Sequence, residues 1–247
     1  MTDTAPPRIF SVHRRSLAAA RARQRQAGDD AAAFVIEDIV EDIAERLAFM
    51  RQEPVRGCLV GLPGAALASL PGTVESIAAD QLDEELPWPS GGFDFIGNTG
   101  SLAVANDLPG ALVHIRSALA PGGIAILSVV GAGSCANLRR AMLAAEPDRP
   151  AARMHPLIDN RAATALLERA GFSRFVVDSR SIEVAYRSLA RLVSDLRDQA
   201  LGNQLAGMGP PLDKAALERA RRAFLAHADA DGRVIERFEI LTLTGWR

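Results

Sequence analysis

Three observations in the sequence predict an α/β fold with a mainly parallel, doubly wound sheet. A short apolar run, Gly57-Cys58-Leu59-Val60-Gly61-Leu62, meets Pro63-Gly64 and an alanine-rich stretch at 65–70. That is the strand, glycine turn and helix that open a nucleotide-binding unit. Strand-like and helix-like runs then alternate, which implies right-handed crossovers. Residues 124–130 form a nearly continuous apolar run, as a central parallel strand buried on both faces requires.

Residues 11–27 and 29–50 read as two helices parted by Gly28. In the second, Val35, Ile39, Ile43, Leu47 and Met50 recur at helical spacing, and Asp29 and Asp30 suit its N-terminus. Residues 73–79 read as a strand ending in the acidic 80–85, and residues 93–97 as the next strand. Asn106 or Asp107 caps a helix running to Leu119, which Pro121-Gly122-Gly123 breaks. A helix at 161–170, a strand at 172–178, helices at 188–199 and 213–228, and a closing strand at 233–246 complete the chain.

The length of 247 residues, 48% hydrophobic and 23% charged, suits one large α/β domain with an extension. The expected division is an N-terminal helical extension at 1–53 and an α/β domain at 54–247, carrying a helical insertion at about 188–230. A net charge of −2 gives no basic field for nucleic acid. No apolar run reaches the ~18–20 residues of a membrane span. The start lacks a signal-type apolar stretch, so a cytoplasmic protein is expected.

Arg8, Arg14, Arg15, Arg21, Arg23 and Arg25 gather in the first helix. Lys214 is the only lysine, so arginine is this chain's general basic residue, and the acids of 29–45 offer the arm an intramolecular partner. Cys58 and Cys135 are too few for a disulfide framework or a zinc site; Cys58 is expected to be buried and Cys135, among glycines, more exposed. His13, His114, His155 and His227 show no metal-ligand spacing and read as surface or packing residues, so no metal is expected.

The run Asn106-Asp107-Leu108-Pro109-Gly110-Ala111-Leu112, continued to Leu119-Ala120-Pro121-Gly122-Gly123, resembles class I S-adenosylmethionine-dependent methyltransferases. More narrowly, it is similar to the group of the biotin-pathway malonyl-carrier-protein methyltransferase and the mitochondrial complex I assembly factor of methyltransferase fold. Pro6-Pro7-Arg8-Ile9-Phe10, Gly202-Asn203-Gln204-Leu205-Ala206-Gly207 and Phe238-Glu239-Ile240-Leu241-Thr242-Leu243-Thr244-Gly245-Trp246 carry the likeness to both ends. The resemblance implies a Rossmann-like sheet of seven strands with the last antiparallel, and a helical segment over the substrate side.

It also implies a cofactor, S-adenosylmethionine, and the corresponding positions depart from the family's pattern. Leu59 stands where the first motif has an acid, only Gly61 and Gly64 remain of three glycines, and Pro63 removes an N–H between them. From Gly64 to Asp80 there is room for about one helix and one short strand at ~1.5 and ~3.3 Å per residue. One strand–helix pair is therefore expected to be missing, and with it the strand that a ribose-binding acid ends. Glu75 is the substitute for that acid, Asp80 or Asp83 the adenine-side acid, and Asn98 lies in a small polar rim. Ala103-Val104 replaces the His-Trp pair usual in this group.

These departures predict an eroded pocket and a non-catalytic binding or assembly-type factor, with a protein partner at the N-terminal arm or the helical insertion. The alternative is an active S-adenosylmethionine-dependent methyltransferase acting on a small molecule, a carrier-linked acid or a protein. The hydroxylation chemistry associated with a relative in the assembly-factor subgroup ranks behind both, because no triad of two histidines and a carboxylate is evident. No catalytic residue is assigned.

Overall fold

A computed structural model describes residues 8–62, 65–148 and 151–247. Its centre is a six-stranded sheet of β1 (Gly57–Gly61), β2 (Val74–Ala78), β3 (Phe93–Thr99), β4 (Leu119–Val130), β5 (Arg174–Tyr186) and β6 (Val234–Trp246), in the order β2-β1-β3-β4-β6-β5. The first four are parallel, and β6 runs antiparallel between β4 and β5. The class I, Rossmann-like reading and the antiparallel closing strand hold, with six strands among the described residues in place of the family's seven.

The contraction falls in a different place from the one expected. β2 pairs with β1 along its whole length, Gly57 beside Val74 and Gly61 beside Ala78. The strand that survives is thus the one whose end carries a ribose acid in doubly wound sheets, and the sheet stops there. The crossover from β1 to β2 is about a dozen residues, close to the minimum for parallel neighbours. It contains a 3₁₀ turn at Ala65–Ser69, where a helix was expected. Between β2 and β3 a helix-free loop crosses β1, and its Leu82 and Trp88 pack where a crossover helix would lie.

Helices α1 (Val12–Arg25), α2 (Phe34–Phe49), α3 (Leu108–Ala118), α4 (Ala136–Ala145), α5 (Asn160–Arg169), α6 (Leu189–Asp198) and α7 (Lys214–Leu225) cover the sheet. Strand side chains alternate between its faces. Leu59, Phe95 and Ile126 meet α2, α4, α6 and α7, while Cys58, Val60, Ile96 and Leu127 meet α3 and α5. Asp107 caps α3 by accepting the Gly110 N–H at 2.9 Å, and that helix ends at Ala118 because Leu119 already begins β4.

The expected start of α2 at Asp29 and Asp30 is corrected: the helix begins at Phe34. Its Val35 N–H is accepted at 2.7 Å by the buried Gln199 side chain, past the end of α6. Asp38 and Asp42 of α2 do not partner the arginines of α1: Asp38 pairs with Arg180 of β5, and Asp42 with Arg180 and with Arg46 of its own helix. α1 is held by Arg15 on Glu85, Arg23 on Asp80 (2.6 Å) and Arg25 on Asp198 (2.9 Å).

The two terminal motifs meet. Phe10 forms an antiparallel bridge with Leu205, the Ser11 N–H donates to the Gln204 carbonyl at 3.0 Å, and Asn106 bonds the Phe10 backbone from both sides. Among the described residues no helix is long and apolar enough to cross a membrane.

Candidate functional site

The parallel strands end level with one another, Val60 beside Asn98 and Gly61 beside Ala78, so the segments that follow them converge on one edge. A cleft opens there, walled by α1, the end of α6 and the loop at 153–157, with room of about 130 Å³ for the centres of water-sized molecules. Gly61 lines it with φ at 126°, and a Cβ there would stand 2.2 Å from Thr99 Oγ1. That hydroxyl accepts the Leu62 N–H at 2.8 Å and ties the turn after β1 to the end of β3.

The other residues singled out from the sequence are placed as follows. Gly64, with Pro63, lies outside the described residues. Glu75 is exposed on the edge strand. Asp80 stands about 20 residues after Gly61, the usual spacing of a ribose acid. Its neighbour Ala79 lines the cleft, whereas one Asp80 oxygen pairs with Arg23 and the other is buried without a partner. Asp83 is exposed and accepts the Glu85 N–H at 3.1 Å. Asn98 is buried one layer behind the wall; its amide donates to Glu84 at 2.6 Å and to Ser101 at 2.7 Å, and its oxygen accepts the Gly100 N–H.

Glu84, which sequence reasoning passed over, is the carboxyl that lines the cleft among the described residues. Burial raises its pKa to about 7, against the pull of the Ser101 hydroxyl and Arg15. Nothing local separates it from Asp83 and Glu85; the turn of the loop alone sends the middle acid inward. Glu85 accepts the N–H groups of Asn106 and Asp107 and the Arg15 guanidinium, fixing the loop to the start of α3.

Cys135 corrects a second expectation: it is buried and lines the cleft. The turn after β4 folds it back under Glu239 and Arg237, in a left-handed conformation with φ at 56°. Burial pushes its thiol up to about 12, so it is a neutral wall group rather than a nucleophile. His155, expected as an ordinary packing residue, also lines the cleft, edge-on to Phe10. Burial and Arg139 lower its pKa, which favours the neutral ring.

A cleft beyond the carboxyl ends of parallel strands, beside a glycine turn, defines the nucleotide-binding class of doubly wound α/β proteins. Within that class, residues 17–175 match the family model described as a methyltransferase domain, more than half of the chain. The chain belongs to the methyltransferase domain family, in the class I superfamily. It is 28% identical over 176 residues to "Arginine-hydroxylase NDUFAF5, mitochondrial" of Rattus norvegicus, covering 70% of this chain and 51% of that protein. It is 22% identical over 272 residues to the malonyl-[acyl-carrier protein] O-methyltransferase of Gallionella capsiferriformans, covering 96% and 92%. A solved phosphoethanolamine N-methyltransferase 2 of Haemonchus contortus, in complex with S-adenosyl-L-methionine, superposes with a TM-score of 0.45 at 13% identity, over 83% of this chain and 52% of that one. The chain spans about half the length of the first curated relatives it matches.

Proposed function

We propose that this methyltransferase-family chain grips S-adenosylmethionine poorly and serves as a non-catalytic binding or assembly-type factor. One observation carries the reading: among the described residues, no free carboxylate reaches the cleft from the edge of β2. Ala79 lines the cleft there, Asp80 is turned to Arg23 and Glu75 is exposed. Glu84 is about half protonated near pH 7 and is a weak complement for a sulfonium cation. Ribose hydroxyls and a positive sulfur thus meet too few placed polar groups, and affinity depends on several acting together. The outward faces of α1 and of the helical segment at 188–230 are the surfaces assigned to a protein partner.

The test is calorimetric titration of the full chain with S-adenosylmethionine and S-adenosylhomocysteine, paired with thermal unfolding. A ligand at 100 times its Kd adds about 2.7 kcal/mol of stability. The expected result is no saturable heat and no shift in Tm at millimolar ligand; saturable binding by either compound overturns the reading.

The alternative, an active methyltransferase acting on a small molecule, a carrier-linked acid or a protein, is favoured by the open cleft beside Gly61. On that reading the cofactor supplies the methyl group. On it Gly61 would let the cofactor approach the backbone after β1, and Asp80, just past the end of β2, would take the ribose only by giving up Arg23. The chain's own task is then to hold the acceptor in line.

A further inference from the structure

The cleft has two chemically distinct halves. Beyond the ends of β1, β2 and β3 it carries Glu84, Ser101 and Arg15. Beyond β4 and β6 its wall is apolar, with Leu138, Met154, Leu157, Leu196, Leu201 and Phe238. Among the described residues, most polar side chains in this second half already have a partner. Arg153 is held by both oxygens of Glu146 at 2.8 Å, which neutralises its charge. Gln199 binds the Val35 N–H and the Asp195 carbonyl, and Gln204 donates to the Ala200 carbonyl. Asn203 uses its amide on Ala152 and its oxygen on the Leu205 N–H. The Cys135 thiol is a weak donor that behaves as a small apolar group.

His155 is the exception. Its Nδ1 is buried with no partner, so the ring presents Nε2 as its accessible nitrogen. An ionised ligand entering this half would be stripped of water, and among the described residues the guanidinium that lines it, Arg153, is already committed to Glu146, a heavy penalty. An apolar body loses nothing by entering, and one polar group on it finds one polar group on the wall.

We propose that the half of the cleft beyond β4 and β6 binds an uncharged, mainly apolar small molecule bearing a single hydrogen-bonding group, a long-chain phenol being the simplest case, with His155 as its polar contact. The proposal deepens the binding-factor reading by naming a ligand class for the same cleft; it rests on that reading for the cleft's use as a binding site, and not for the absence of S-adenosylmethionine from the other half.

The experiment follows fluorescence of the neutral probe N-phenyl-1-naphthylamine added to the full chain, and its displacement by 4-pentylphenol, pentylbenzene, hexanoate and hexylammonium. Saturable probe binding is expected, with 4-pentylphenol displacing it at concentrations at least tenfold below either ion. It should lead pentylbenzene by about fivefold, the worth of one hydrogen bond. In His155→Phe, which keeps the ring beside Phe10, that lead should vanish while probe binding persists. The wild-type series stands by itself should the variant fail to fold. No saturable probe binding, equal displacement by the ions, or an unchanged phenol lead in a folded His155→Phe overturns the proposal. The titration with S-adenosylmethionine is scored separately. Cofactor binding together with the phenol preference removes the binding-factor reading and leaves this inference, whereas neither ligand binding does the reverse.

Discussion

Gly61 holds a backbone conformation that side chains rarely adopt, against the hydroxyl that fixes the neighbouring turn. Gly61→Ala is expected to lower stability by about 1–3 kcal/mol, the usual cost of a residue forced into such a region, read as a fall in the urea midpoint. Glu84 makes a different prediction at the same scale. Its folded pKa of about 7 lies above the 4.5 of the free group, so between those values the folded chain holds the extra proton. Stability contributed by the protonated carboxyl is complete below about pH 4.5, declines as pH rises through 7 and is flat above. The groups bearing on it are Arg15, Asp83, Glu85, Asn98 and Ser101. Glu84→Gln keeps an acceptor for Asn98 and should flatten that decline, on the order of 3 kcal/mol across the window at ~1.4 per unit, in urea unfolding series at successive pH values. The sequence identified Gly61 because a glycine turn after an apolar strand is a local signal. It could not separate Glu84 from its acidic neighbours, nor single out His155, because both are defined by what folds over them.

Among the elements, the clamp between α1, α2 and α6 governs the cleft's outer wall. Asp198 accepts from Arg25 and from the Ala32 N–H, and its carbonyl accepts from Gln26. Asp198→Ala should cost about 1 kcal/mol by removing the acceptor of the Ala32 N–H and of Arg25, and should speed proteolysis at the α1–α2 junction. Asp198→Asn, which keeps an acceptor, should cost less. This clamp also explains where element boundaries were misread. At the start of α2 the Val35 N–H is satisfied by Gln199, 164 positions away, which no local capping pattern reveals. β5 continues to Tyr186 although the apolar alternation fades near Asp178, because its outer edge has no partner strand and polar residues suffice there. α4 was overlooked because its buried face is only Leu138, Ala141 and Ala145. β1, β3 and β4 were legible because burial on both faces leaves a mainly apolar run, and β6 because its apolar positions alternate in its second half.

For the molecule as a whole, the termini are structural parts of the cleft. α1 contributes Arg15 and Ala19 to its wall, and Ala22 packs against Ile36 and Leu62. Deleting residues 1–27 should lower the urea midpoint and raise the fluorescence of an added hydrophobic dye, because the Leu62 side of the turn is uncovered. The family was readable from the sequence at long range, since its two terminal motifs lie together in space. The contraction was readable as a length, but strand pairing was needed to show which strand had gone.

That loss leaves β2 as the sheet's boundary, a row of backbone donors and acceptors facing outward without a mate. Such a border invites a second chain to extend the sheet. Here it runs only from Val74 to Ala78, with the charge of Glu75 and the hydroxyl of Ser76 exposed on opposite faces. Brevity and charge together discourage recruitment of another copy, so the shortened architecture carries its own guard against fibrous association.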